Sequence, residues 1–252
     1  MKKTVRLNQC TGLLKLIAIA TMFIDHLGAM IFPQIFEMRL IGRLAFPIFA
    51  YCIAVGAVYT HSMGKYCLRM LIMAVISQPF YVLAMNHLTP AMRNLDFAKF
   101  PLQSAVTWYM ESLNYGNIMF ALLLGLLFIW CLQERTYALA AVCAVAIWFL
   151  APYLQTSYGW KGVALMVLFY VLIDSPVHSF VCVAAFMAWG GFYGGTSTRL
   201  FAPQIGAQAY AMLALPLIYL PITKNIKVNK WVFYIFYPAH LALIYALQIM
   251  PR

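Results

Sequence analysis

Residues 22–49 read MFIDHLGAMIFPQIFEMRLIGRLAFPIF. Asp25 and His26 stand side by side in an apolar run that, with the residues before it, is long enough to cross a bilayer. After Pro33 a second apolar run carries Arg39, Arg43 and Pro47. Ionisable side chains at membrane depth are costly, and by default they mark a functional site. This stretch therefore points to a fold, a bundle of membrane helices, and to where its chemistry sits.

Composition supports the first half of that reading. The 252 residues are 65% hydrophobic and 9% charged, where soluble domains carry about 25% charged residues. A charged shell that thin does not cover so apolar a core, so lipid is the better solvent. The net charge of +11 does not take the form of a basic, aromatic-studded nucleic-acid surface. Lys and Arg gather instead at the ends of apolar runs, as topology determinants do. No nucleic-acid partner is expected. The six cysteines (Cys10, Cys52, Cys67, Cys131, Cys143 and Cys182) show no C-x-x-C spacing, and most lie in apolar runs. No metal site is expected. The opening MKKTVR is basic, but the apolar run passes straight through Ala18-Ile19-Ala20, which reads as an uncleaved first span.

A spanning helix needs about 20 mainly apolar residues. On that rule the chain is an all-α, polytopic membrane bundle forming one domain over residues 1–252, with nine expected spans. These are Leu14–Phe32, Leu40–Thr60, Tyr66–Met85, Gly116–Leu132, Tyr137–Ala151, Gly159–Ile173, Pro176–Tyr193, Ile205–Leu220 and Trp231–Met250. The polar stretch 86–115 is the longest connection, of the kind that forms lids or re-entrant pieces. With the N-terminus cytoplasmic, ten Lys and Arg fall inside and seven outside, the bias of positive-inside topology. The cluster Lys224–Lys230 lands inside only if eight spans precede the last.

This topology sets depths. His26 lies eleven residues past Lys15 and His240 nine past Trp231, about 16 Å and 14 Å from the same face. The two imidazoles are expected to meet near mid-bilayer. A carboxylate beside an imidazole suits a general base, though helical neighbours point about 100° apart, so Asp25 need not be the partner of His26. Otherwise the two form a buried polar pair that holds spans together. Arg43 reads as a counter-ion to Asp25 or an anchor on the acceptor side, Arg39 as an interfacial side chain that snorkels. Lys65 and Arg69, four apart, suit a polyanionic cytosolic ligand or simply mark the inner face. Gln78 and Asn117 are candidates for orienting substrate, or for bonds between helices.

Five blocks carry a resemblance to a known family: IAIATMFIDH (17–26), RLIGRLAFPIFAYCIAVG (39–56), KYCLRMLIMAVISQPFY (65–81), LNYGNIMFALLLG (113–125) and FYIFYPAHLALIYAL (233–247). Together they resemble the TraX family, inner-membrane proteins of F-type conjugative plasmids. The resemblance implies acetylation of the N-terminus of a pilin subunit with acetyl-CoA as donor. It also implies kinship with broader membrane acyltransferases whose first-helix histidine acts in catalysis, here His26. Asp25 and His240 then support that base, Lys65 and Arg69 hold coenzyme A, and Arg43, Gln78 or Asn117 supplies the oxyanion donor. Alternatives from the residues alone are O-acetylation of a surface sugar or lipid, a proton-coupled transporter using Asp25-His26, and a structural assembly factor.

Overall fold

The computed structural model describes residues 3–150, 158–192, 207–222 and 226–250. Every regular element among them is helical. Helix α1 spans Gly12–Met30, α2 Phe36–Gly42 and α3 Ala45–Tyr59. The expected second span is thus two helices, and Pro47 explains the break. It has no N–H to return to the Arg43 carbonyl, and its ring takes up that space. The chain instead turns at Arg43-Leu44, whose N–H groups bond only three residues back, to Leu40 and Ile41 at 3.1 and 3.2 Å.

Helix α4 spans Met63–Ala84, and the Ser62 side chain caps its start by accepting from the Lys65 N–H. Pro79 within α4 leaves the Val75 carbonyl without its helical donor. The Tyr109 hydroxyl donates to that oxygen at 3.1 Å. Tyr109 belongs to α6 (Pro101–Ser112), which follows the short α5 (Pro90–Arg93) and leads into α7 (Ile118–Gln133) at a bend of 68°. The chain enters α6 from the end of the bundle where α4 stops. It leaves α7 at the opposite end, where Gln133 Nε2 donates to the Ala57 carbonyl at 2.9 Å. The polar stretch 86–115 thus ends in a helix that bends into α7, the geometry of a broken span or of a re-entrant piece.

Gln78, fully buried on α4, clamps that break. Its Nε2 donates to the Ser112 and Tyr115 carbonyls, and its Oε1 accepts from both the backbone N–H and the Nδ2 of Asn117. Asn117 Nδ2 also donates to the Ala74 carbonyl at 2.8 Å, while its Oδ1 caps α7 through the Met119 N–H.

The rest comprises α8 (Tyr137–Leu150), α9 (Gly159–Val171), α10 (Pro176–Phe192), a 3₁₀ turn at Ala207–Leu213 leading into α11 (Ala214–Tyr219), and α12 (Lys230–Ile249). Four segments are long and apolar enough to cross a membrane: Gly12–Met30, Phe36–Tyr59, Met63–Ala84 and Trp231–Ile249. The bent α6–α7 pair makes a fifth if it is one span. The described helices do not reproduce the count of nine. Helix α9 has 13 residues, about 20 Å of rise against a hydrocarbon core of about 30 Å. Apolar content reports burial or lipid contact, not helix length. The expected span at 205–220 begins outside the described residues, as do Ala151, Tyr193 and Lys224.

Leu68, Leu71, Ile72, Val75 and Ile76 form an exposed apolar stripe on α4, a surface that lipid covers without cost. Inside, one core cluster joins α3, α7, α9 and α11 around Ile48, Leu126, Met166, Phe169 and Ile218. A second joins α1, α4 and α12 around Met22, Val82, Tyr237, Leu241 and Ile244. The N-terminal segment ties the first cluster's end together. Asn8 donates to the Ile218 and Leu220 carbonyls, the Tyr51 hydroxyl donates to Leu7, and Lys3 pairs with Asp174 at 3.3 Å.

Candidate functional site

Between the two clusters lies a cavity of about 360 Å³, within the size range of small-molecule sites. Along α1 it is lined by Lys15, Ile19, Met22, His26 and Met30. That recurrence at three and four residues is one helical face. Fifteen residues of α1 make the cavity about 22 Å long. Lys15, Tyr66 and Tyr234 mark one end; Met30, Arg39, Met85 and His87 mark the other.

His26 lines this space, and His240 stands behind it on a helix that runs in the same direction. His26 Nδ1 is 2.8 Å from His240 Nε2, and the rings are nearly parallel with centroids 5.0 Å apart. His240 is 3% exposed, and its Nδ1 lies 2.8 Å from the Phe236 carbonyl oxygen one turn back. These contacts fix the protons of the neutral pair. A carbonyl only accepts, so His240 Nδ1 carries hydrogen and its Nε2 is left with a lone pair. The 2.8 Å contact between nitrogens needs one hydrogen, so His26 Nδ1 donates. His26 Nε2 is consequently unprotonated, a base oriented by a second group that is itself oriented.

Asp25 also lines the cavity but takes different partners. Its carboxylate is 2.8 Å from Arg39 and 3.7 Å from Arg43, and Arg39 donates as well to the Asp25 carbonyl at 3.1 Å. The counter-ion expected in Arg43 is present, and the nearer one, Arg39, went unrecognised because a cation at a helix end resembles a snorkelling side chain. Gly42 makes the approach possible, since a Cβ there would overlap the Asp25 side chain. Arg43 Nη1 donates to Gln208 Oε1 at 3.3 Å, while its Nε is buried with no hydrogen-bond partner among the described residues. Two guanidiniums against one carboxylate leave this end of the cavity positive. At the mouth beyond, His87 stacks on Tyr115 with centroids 4.6 Å apart. Burial pushes its imidazole below the ordinary histidine value, favouring the neutral ring.

The other expected site residues stand elsewhere. Lys65 is exposed at the start of α4 and does not line the cavity. Arg69 sits one layer behind the lining, its Nε 3.4 Å from the Tyr234 hydroxyl. Gln78 and Asn117 commit all their amide hydrogens to the α6–α7 break and do not line the cavity. Lys15 does line it and was read from the sequence only as a topology charge. Among the described residues no cluster of three or more His, Cys, Asp or Glu is placed to hold a metal ion.

Comparison with known proteins places the chain in a family. The family model described as TraX protein matches residues 11–248. The chain is 27% identical over 246 residues, 92% of both chains, to a protein of Dichelobacter nodosus described as a probable fimbrial assembly protein FimC, serogroup H1. A 39-residue stretch, 16% of each chain, is 46% identical to an uncharacterized protein of Rickettsia prowazekii. No solved structure matches the chain at a significant level. The family match runs through both histidine helices and the broken helix between them: this chain belongs to the TraX family.

Proposed function

We propose that this protein is a multi-pass N-acetyltransferase of the bacterial inner membrane, moving an acetyl group from acetyl-CoA to the N-terminal amine of a pilin subunit. The observation that carries the reading is an unprotonated His26 Nε2 held by His240 at the wall of an elongated cavity. The family and the fimbrial description of the D. nodosus relative supply the acceptor class.

His26 Nε2 takes a proton from the amine as its nitrogen attacks the thioester carbonyl. His26 Nδ1 keeps its hydrogen bond to His240, whose Nε2 lone pair stabilises the imidazolium. The carbon–sulfur bond then breaks, and the departing thiolate takes the proton back from His26. Arg43, with a free buried Nε, is the donor best placed for the developing oxyanion. Asp25 acts on this step through Arg39 and Arg43, holding them at the cavity wall. Apolar walls keep water from the thioester.

The same reading orients the chain. Helices α1 and α12 run parallel, and α7 ends beside the start of α4, where Trp130 lies 3.6 Å from the position of a Cβ on Gly64. An even number of passes therefore joins α7 to α12, and a cytosolic donor makes the face at which α1 and α12 start the cytoplasmic one. The activity is tested by weighing the pilin N-terminus from cells with and without this protein. One acetyl group present only with the protein is expected. Identical masses would remove the pilin reading and favour a sugar, lipid or transport substrate.

A further inference from the structure

The end of the cavity remote from Arg39 carries positive charge. Lys15 lies with its Nζ 5.6 Å from the centroid of Phe233, and Arg69 stands behind Tyr234. Neither cation takes part in an ion pair among the described residues, and Asp25, the one carboxylate on the described lining, belongs to the opposite end. Lys15, Tyr66 and Tyr234 thus line an end with no acid to neutralise it, and Arg69 stands one layer behind. Lys15 shares its helical face with His26, and eleven residues of rise separate them by about 16 Å. The wall between is apolar, formed by Ile19, Met22 and Ile53.

That separation measures a ligand. A covalent chain advances about 3.3–3.6 Å for every three bonds. The arm of a 4′-phosphopantetheine thioester has about thirteen bonds from sulfur to phosphorus and so spans about 14–16 Å. We propose that Lys15, backed by Arg69, holds the first phosphate of a 4′-phosphopantetheine thioester whose sulfur end reaches His26. The donor then enters at the Lys15 mouth, and the mouth at Arg39 and His87 is left to the acceptor. Lys65 plays no part. The assignment rests on the acyl-transfer reading above.

The test measures binding to full-length protein in lipid nanodiscs, using pantetheine, 4′-phosphopantetheine, CoA and a holo acyl carrier protein as probes. Wild type is expected to bind 4′-phosphopantetheine about tenfold or more tightly than pantetheine, the worth of one charge-assisted phosphate contact. In Lys15→Gln the two should agree within about twofold, while Lys15→Arg keeps the gain. Binding of CoA that Lys15→Gln weakens supports a free thioester as the source, and binding of the carrier protein that it weakens supports a protein-borne one. An undiminished gain in Lys15→Gln overturns it. If pilin in the cell is acetylated yet the phosphate adds nothing even in wild type, this assignment falls and the enzyme stands. If no probe binds wild type and pilin carries no acetyl group, the acyl-transfer reading itself falls.

Discussion

His240 illustrates how a residue with no reacting partner of its own can decide what its neighbour does. By donating to Phe236 it presents a lone pair to His26, which leaves His26 Nε2 bare. A glutamine at 240 can place an amide oxygen where Nε2 stood. His240→Gln is therefore expected to keep the transfer rate within severalfold of wild type, whereas His240→Leu lowers it about 10- to 100-fold. Purified protein assayed for acetyl transfer checks both, and equal losses in the two variants would reduce His240 to packing. Gly42 offers a second residue-scale prediction. Gly42→Ala drives a methyl into Asp25 and should cost about 1–3 kcal/mol, seen as a lower Tm in detergent. The histidine meeting was legible in the sequence because both residues sit a similar number of turns from a basic or aromatic helix end. The Arg39–Asp25 pair was not, because it depends on where a broken helix folds back.

Broken helices organise the site at the next scale. Pro47 ends α2 against α3 and brings Arg39 and Arg43 over Asp25; Gln78 and Asn117 hold the α6–α7 bend that closes the cavity's far wall. Prolines and helix lengths were readable in the sequence. The use of a buried Gln or Asn was not, since an amide bonded to a helix end and an amide aimed at substrate look alike in sequence. The two roles separate experimentally. Gln78→Leu strands the amide groups of Asn117 and the carbonyls of Ser112 and Tyr115, at about 1–3 kcal/mol for each group left dry. A lower Tm is expected, with acetyl transfer per folded molecule within about twofold of wild type. A large fall in that specific rate at unchanged Tm would return Gln78 to the reaction.

For the molecule as a whole, the claim is a passage between two cores with donor and acceptor arriving from opposite faces. The membrane class followed from composition, while the number of full-length spans did not, because α9 and α11 are apolar but short. Orientation is open to labelling. With the other five cysteines replaced, exposed Cys10 should react with an impermeant maleimide only from the cytoplasmic side. A cysteine placed at exposed Phe97 should react only from the periplasmic side, and labelling of both from one side would contradict the passage. The most direct measurement is acetyl transfer from acetyl-CoA to a synthetic pilin N-terminal peptide by purified protein in nanodiscs, comparing wild type with His26→Ala at matched folded protein. The account predicts a loss of about 10²- to 10⁴-fold. Transfer by His26→Ala within twofold of wild type would contradict it.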